Sequence, residues 1–171
     1  MAPTDIPIDT GARKSWRDSV AAYLHGRVVG MLFLGFSAGL PFLLVFTTFQ
    51  FWLAEAGYDP KTIAFVTWIG IAYSIKVFWA PVVDRLKLPY LTRRLGRRRS
   101  WLLLAMLGIA VGLVGMALTD PRTNLAGMAM FALLVAFSSA TQDIALDAYR
   151  IEAVDRDLQG AMAATYQLGY R

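Results

Sequence analysis

The chain has 171 residues, of which 57% are apolar, 13% aromatic and 17% charged, with a formal net charge of +5. A typical soluble domain has about 25% charged and about 45–50% apolar residues, so this composition excludes a disordered chain and argues against a soluble globular one. The sequence has no Cys and a single His, His25, which excludes disulfides, thiolate zinc sites and a Cys nucleophile.

The apolar residues lie in long blocks, which predict an all-α integral membrane protein. A helix needs about 20 apolar residues to cross about 30 Å of hydrocarbon, and lipid offers no partner for an unpaired backbone. Four blocks reach this length, at residues 28–51, 63–83, 101–118 and 125–144. A fifth block, 160–171, is shorter and is predicted to begin another helix. Residues 1–27 are predicted to form a cytoplasmic N-terminal tail, and residues 28–171 a partial transmembrane bundle.

Basic residues are distributed unevenly between the predicted loops. Thirteen Lys and Arg residues lie in the tail, in the loop between the second and third spans, and after the fourth span, whereas two lie in the other loops. The positive-inside rule therefore places the N-terminus in the cytoplasm. The basic run at 93–99 is alternatively typical of a nucleic-acid patch. Its position between two spans favours contact with anionic lipid headgroups, so we expect no nucleic-acid partner.

Polar side chains inside the spans are the candidate functional residues, because a charged residue there costs about 2.5–3.5 kcal/mol to insert. In the second span, Tyr73 and Lys76 are three residues apart and share a helix face. Lys76 either extends its ammonium group to the inner headgroups, or lines a cavity for an anionic substrate or pairs with an acid of the fourth span.

The end of the fourth span carries Gln142, Asp143 and Asp147. The two acids are four residues apart and share a face. Neighbouring carboxylates in a weakly polar environment repel each other, so that one can hold a proton, as proton coupling requires. The alternative is that the helix leaves the membrane here and that both carboxylates are hydrated.

The fifth block contains Gln167 and Arg171, which also share a helix face. Arg171 lies about 17 Å beyond Gly160 along a helix, near the predicted bilayer midplane. An Arg at that depth is expected to be ion-paired or functional.

The first span contains Gly35, Gly39 and Pro41. The proline predicts a bend, and the two glycines predict a close approach to another helix. Helix packing and a gating role are alternative interpretations of this segment.

The residues that flank the loop between the second and third spans are a second candidate for a conformational role. Asp84 and Arg85 precede it, and Gly96, Arg97 and Arg98 follow it. Such an acidic and basic pair of segments is expected to hold helix ends together in one conformation.

Catalytic and phosphate-binding motifs of the G-x-S-x-G, H-E-x-x-H and G-x-x-x-x-G-K-[ST] types are absent from the sequence. We therefore predict that the chain is not an enzyme and uses neither a metal nor a cofactor. Transport would depend on a gradient or on a partner.

The loop segments resemble the D-R-x-G-R-R/K motif of the major facilitator superfamily, with a longer spacing between Asp84 and Gly96. Within that superfamily the chain is similar to the muropeptide permease (AmpG) family, which is related to acetyl-CoA transporters. The similarity covers about residues 30–171. It is carried by GFSAGLP at 35–41, QFW at 50–52, KTI at 61–63, KVFWAPVVDR at 76–85, GRRR at 96–99, SATQDI at 139–144, DA at 147–148 and LGYR at 168–171.

The resemblance implies a multi-pass importer of the inner membrane, driven by protons, that carries anhydromuropeptides into the cytoplasm for peptidoglycan recycling. Such carriers have two six-helix halves. The chain then corresponds to the N-terminal portion, with four full transmembrane helices and the start of a fifth. We expect it to be a fragment that lacks the C-terminal half.

Two alternatives remain open at the level of sequence. The first is a major facilitator carrier of another solute, such as acetyl-CoA, a sugar or a drug. The second is a small helical membrane protein that acts by interaction and transports nothing.

Overall fold

The computed structural model describes residues 15–171, apart from the side chains of Asp18, Ala72 and Tyr73. The part of the predicted tail before residue 15 lies outside the described residues. The helices are α1 Trp16–Tyr23, α2 Gly26–Glu55, α3 Pro60–Thr67, α4 Ile71–Ser74, α5 Lys76–Arg85, α6 Leu91–Leu95, α7 Arg97–Leu118, α8 Leu125–Glu152 and α9 Arg156–Tyr170.

Three helices are long and apolar enough to cross a membrane, namely α2, α7 and α8. They correspond to the first, third and fourth predicted spans. Helix α8 continues past the predicted end at residue 144 as far as Glu152, because the polar residues beyond that point remain compatible with a helix. Part of the predicted tail is also helical, since α1 covers Trp16–Tyr23.

The second predicted span, 63–83, is divided, which corrects the prediction of one continuous helix. Helix α3, a 3-10 turn at Trp68–Gly70, α4 and α5 follow one another. At Ile75, where φ is −85° and ψ is 1°, the backbone leaves the α-helical conformation, although the Ile75 N–H still donates to the Ile71 carbonyl at 3.0 Å. The sequence gives the reason, because Gly70 and several β-branched residues in this stretch are weak helix formers. Pro81, inside α5, also lacks the N–H that a regular helix uses.

The start of α3 is stabilised by Asp59, which precedes Pro60 at the first helical position. The Asp59 carboxylate accepts hydrogen bonds from the backbone N–H groups of Lys61 and Thr62 and, at 2.6 Å, from the Thr62 hydroxyl. The bonds from Thr62 hold the pKa of the Asp59 carboxyl below its usual value. This loop therefore has a defined helix start rather than a frayed one.

Helix α2 contains Pro41, and a π-helical turn within the same helix begins three residues later, at Leu44–Thr48. Proline removes one backbone donor from the helix, and a π turn is a common way to restore hydrogen bonding around such a point. Pro41 is therefore followed, three residues further along α2, by a wider turn, while the bend expected at this proline stays a prediction.

The helices associate chiefly as two pairs, α2 with α9 and α7 with α8, and α2 also packs on α8. A Cβ atom at Gly35 or Gly39 of α2 would overlap the backbone carbonyl of Tyr166 or Tyr170 on α9. The two glycines therefore allow α2 and α9 to approach backbone to backbone, which is the arrangement expected of small residues at membrane helix contacts.

Two apolar clusters lie at opposite ends of the bundle. The cluster near the loop that contains Asp59 is formed by Val45, Phe49, Leu53, Val66, Met116, Met128, Ala132 and Val135. The cluster near the loop that contains Ala153 is formed by Val28, Met31, Ala38, Leu146, Met162 and Tyr166. The stretch of α8 between these clusters, 138–143, is buried and polar.

Candidate functional site

A charged pair lies inside the bundle where α5, α8 and α9 meet. The Lys76 ammonium group is 3.5 Å from one carboxylate oxygen of Asp143, and the Tyr166 hydroxyl donates to the other at 3.4 Å. The Asp143 side chain is 8% exposed and that of Lys76 33% exposed. A buried carboxylate is costly without such partners, so Lys76 and Tyr166 account for its presence. The partial exposure of Lys76 leaves one side of the pair open to the surroundings.

Uncharged polar groups continue this cluster towards α2. The Gln142 side-chain amide, 1% exposed, donates to the Ser37 hydroxyl at 3.4 Å. Its carbonyl oxygen and the buried hydroxyl of Ser139 have no hydrogen-bond partner among the described residues. Leaving such groups without partners costs about 1–3 kcal/mol each.

An aromatic contact fixes α5 against α8 beside the charged pair. The rings of Trp79 and Phe137 are stacked with centroids 4.6 Å apart, and the Trp79 indole N–H donates to the Thr141 hydroxyl at 3.3 Å. Trp79 follows Lys76 by almost one turn of α5. The stack therefore sets the position from which Lys76 reaches Asp143.

The second acid of α8 is in a different environment. The Asp147 side chain is 48% exposed and lies 3.5 Å from the Arg150 guanidinium on the same helix. Arg150 also lies over the Tyr166 ring, at 5.6 Å from its centroid. The two acids share a helix face, as their spacing predicted, but only Asp143 is buried in the polar cluster.

Gln167 and Arg171 lie elsewhere. Both are exposed, and among the described residues no hydrogen bond or ion pair joins either of them to the cluster. Arg171 lines an apolar groove of about 500 Å³ between α2 and α9, together with residues such as Phe36, Leu40 and Leu168. The side chain of Tyr73 is outside the part of the protein that the structure describes, and its role stays a prediction.

The residues around the basic loop form a second polar site, which joins three helices. The Arg98 guanidinium, at the start of α7, donates to the Asp84 carboxylate at the end of α5. It also lies 2.8 Å from the Glu152 carboxylate at the end of α8. Arg98 therefore bridges the helix ends that the sequence expected to be held together, despite the long spacing between Asp84 and Gly96.

The other members of the loop motif contribute in different ways. Gly96 has φ 79° and ψ 165° at the junction of α6 and α7, a backbone conformation that side chains other than hydrogen rarely allow. Arg85 is exposed, and the Arg97 Nε is buried without a hydrogen-bond partner among the described residues. Among the ion pairs of residues 15–171, Arg98 is the member of this basic segment that makes the ionic bridge.

The sequence did not single out Tyr166 or Glu152, and it included Ser37 and Ser139 only as parts of matching stretches. The position of a hydroxyl midway between Gly35 and Gly39 was a signal for Ser37. Tyr166 could not be identified because its contact with Asp143 depends on how α9 packs, and no local spacing encodes that arrangement.

The apolar helices, with a polar cluster buried between them, define a multi-pass helical membrane protein. Residues 28–123 match the family model described as acetyl-coenzyme A transporter 1. The chain belongs to this family, which supports the prediction that it is not an enzyme.

Several bacterial proteins are similar to most of the chain. The anhydromuropeptide permease of Escherichia coli K12 is 40% identical over 141 residues, which cover 82% of this chain and 28% of the relative. The protein named AmpG 4 of Rickettsia conorii is 38% identical over 145 residues, which cover 85% of this chain and 35% of the relative. These matches confirm the resemblance to muropeptide permeases. The chain spans about a third of the length of these relatives.

Proposed function

We propose that the chain forms part of a proton-driven secondary transporter of the inner membrane, which imports anhydromuropeptides for peptidoglycan recycling. The observation that carries this proposal is the Lys76–Asp143 pair, buried between otherwise apolar helices. The name of the Escherichia coli relative, anhydromuropeptide permease, supplies the substrate class.

Asp143 is the proposed proton site. When it is ionised, its carboxylate attracts the Lys76 ammonium group at 3.5 Å. Protonation removes that attraction and frees Lys76 to bind a carboxylate of an anionic peptide. The opposite change, loss of the proton, restores the internal pair and releases the substrate. Binding of proton and solute is thereby linked through one cation.

The Gln142 carbonyl and the Ser139 hydroxyl are the proposed neutral contacts to the substrate. Both are buried and lack a partner among the described residues. An amide carbonyl accepts a hydrogen bond from a sugar hydroxyl or a peptide N–H, and a serine hydroxyl can donate or accept. These groups suit a solute that combines sugar and peptide.

The proposed architecture is that of a major facilitator carrier. Such a carrier alternates access by rocking two helical bundles around a central site, and the described helices supply one wall of it. The excess of Lys and Arg in alternate loops supports a cytoplasmic N-terminus and contact with anionic lipid.

The role of Asp143 can be tested in the complete reading frame that encodes these residues, expressed in bacteria without their own anhydromuropeptide permease. We expect Asp143→Asn to lose proton-driven accumulation, down to the level that a protonophore leaves in the parent, and to retain exchange of labelled for unlabelled solute. Asp147→Asn is the matched control, and we expect it to keep most accumulation because Asp147 is half exposed. Undiminished accumulation in Asp143→Asn would remove this residue from coupling.

A second candidate substrate is acetyl-CoA, because the matching family model is described as an acetyl-coenzyme A transporter. Uptake of labelled anhydromuropeptide, with each unlabelled solute as a competitor, separates the two. We expect competition by anhydromuropeptide and none by acetyl-CoA. Competition by acetyl-CoA as strong as that by anhydromuropeptide would contradict a site selective for the muropeptide.

A further inference from the structure

Helix α1 has an apolar stripe that the rest of the described protein does not cover. Trp16 is 71% exposed, Val20 50%, Tyr23 49% and Leu24 76%. At 100° per residue Trp16, Val20 and Tyr23 fall within about one sixth of the helix circumference, and Leu24 follows α1 directly. Such a stripe on a short helix needs another apolar surface to cover it.

The bundle itself does not supply that surface. Helix α1 contacts the remainder of the protein mainly along α9, and an open cavity of about 530 Å³ lies between them, lined by residues that include Ala22, Asp157 and Ala161. The exposed stripe and this loose contact show that α1 is not held on the bundle by close packing.

Basic residues accompany the stripe. The segment 13–27 contains four Lys or Arg residues and one acidic residue, Asp18. Within it, the Arg17 guanidinium lies 5.7 Å from the centroid of the Trp16 ring. By its position on the helix, Arg17 borders the stripe on the side of Val20 and Leu24. An aromatic and aliphatic stripe bordered by cations is typical of a helix that lies in the headgroup region of an acidic membrane.

The short connection to α2 places the end of α1 near a membrane surface. Tyr23 ends α1 and Gly26 begins α2, and the three Cα–Cα steps between them reach at most about 10 Å. Helix α2 is long and apolar enough to cross the membrane, so its first residue lies near one membrane surface. The end of α1 must therefore lie within about 10 Å of that surface.

We propose that α1 is an interfacial helix that binds the surface of an acidic lipid bilayer through the stripe of Trp16, Val20, Tyr23 and Leu24, with Arg17 at its border. Binding of α1 to the bilayer is independent of the transported solute, because it depends on the charge and exposure of α1 and on its short link to α2.

The absence of Cys from the chain permits a direct test with spin labels. Val20→Cys places the label on the stripe, and Ala21→Cys is the matched control on the next residue, outside it. The full chain is reconstituted in vesicles of phosphatidylcholine with one quarter phosphatidylglycerol, and in vesicles of phosphatidylcholine alone. Accessibility of each label to oxygen, which dissolves in lipid, and to a water-soluble nickel chelate is then measured.

In the acidic vesicles we expect position 20 to be accessible to oxygen and shielded from the chelate, and position 21 to be accessible to the chelate. Adding Arg17→Gln to the Val20→Cys chain should lower the ratio of inserted to free α1 about fivefold, the effect of one basic residue near an acidic surface. In neutral vesicles position 20 should become accessible to the chelate.

Three results would overturn the proposal. Chelate access at position 20 in acidic vesicles would show that α1 lies in water. Shielding from both reagents would show that protein covers the stripe. Equal shielding in acidic and neutral vesicles would show that lipid charge has no part in binding.

Discussion

Glycines lie at both the α2–α9 and the α7–α8 contact, but the atoms that face these glycines differ. At α2–α9, the atoms that a new Cβ would meet at Gly35 and Gly39 belong to the α9 backbone. At α7–α8, Gly108 and Gly115 face side chains of α8, the Ser138 hydroxyl and the Phe131 ring. A side chain can rotate away from an added methyl group, whereas a backbone carbonyl moves only with its helix.

The two contacts therefore differ in how much sequence change they tolerate. Helix α9 also carries Gly169, which lies against the Leu32 carbonyl of α2, so the backbones approach from both sides. We infer that α2 and α9 are held more rigidly at Gly35 and Gly39 than α7 and α8 are at Gly108 and Gly115, because the groups that an added Cβ would meet first are backbone carbonyls in one case and side chains in the other.

The largest effect is expected from Gly39→Ala, which forces α2 away from the Tyr170 carbonyl. Overpacking of this kind costs about 3 kcal/mol of unfolding free energy, measurable by titrating the solubilised chain with denaturing detergent. Gly30→Ala is the matched control on the same helix, since no atom lies within 4 Å of the Cβ it would add. Equal losses from both variants would contradict a backbone contact between α2 and α9.

A smaller loss, about 1 kcal/mol, is expected from Gly115→Ala, because the Phe131 ring can turn aside. The same titration measures it. The double variant Gly115→Ala with Phe131→Leu should recover part of the loss, since the smaller side chain leaves room. A loss as large as that of Gly39→Ala, with no recovery, would remove the proposed difference between the two contacts.

The smallest effect is expected from Tyr166→Phe, which deletes the hydroxyl that donates to Asp143 at 3.4 Å and leaves the ring in place. Hydrogen bonds between membrane helices contribute about 0.6 kcal/mol on average, so the unfolding free energy should fall by about that amount. This variant separates the polar connection of α9 to α8 from its glycine contact with α2. A loss above that of Gly39→Ala would show that the polar connection dominates.

The sequence predicted the long helices and the polar residues inside them, because block length and insertion cost are local properties. The division of the second span was not predicted. The span is apolar on average, which predicts a membrane helix, but it contains weak helix formers around Gly70. The pairing of Lys76 with Asp143 was one of the alternatives for Lys76. The separation of Arg171 from this pair was not foreseeable, because it depends on the rotation of α9 about its axis.

The π turn at Leu44–Thr48 lets one helix serve two differently oriented partners. The wider turn accommodates an additional residue, and this rotates everything beyond it by about 100° relative to a uniform α-helix. Before the turn, Gly35 and Gly39 of α2 lie against α9. Val45 within the turn, and Phe49 and Leu53 after it, enter the apolar cluster with α8. The turn thus offsets the side-chain pattern within one helix, whose first part packs on α9 and whose last part packs on α8.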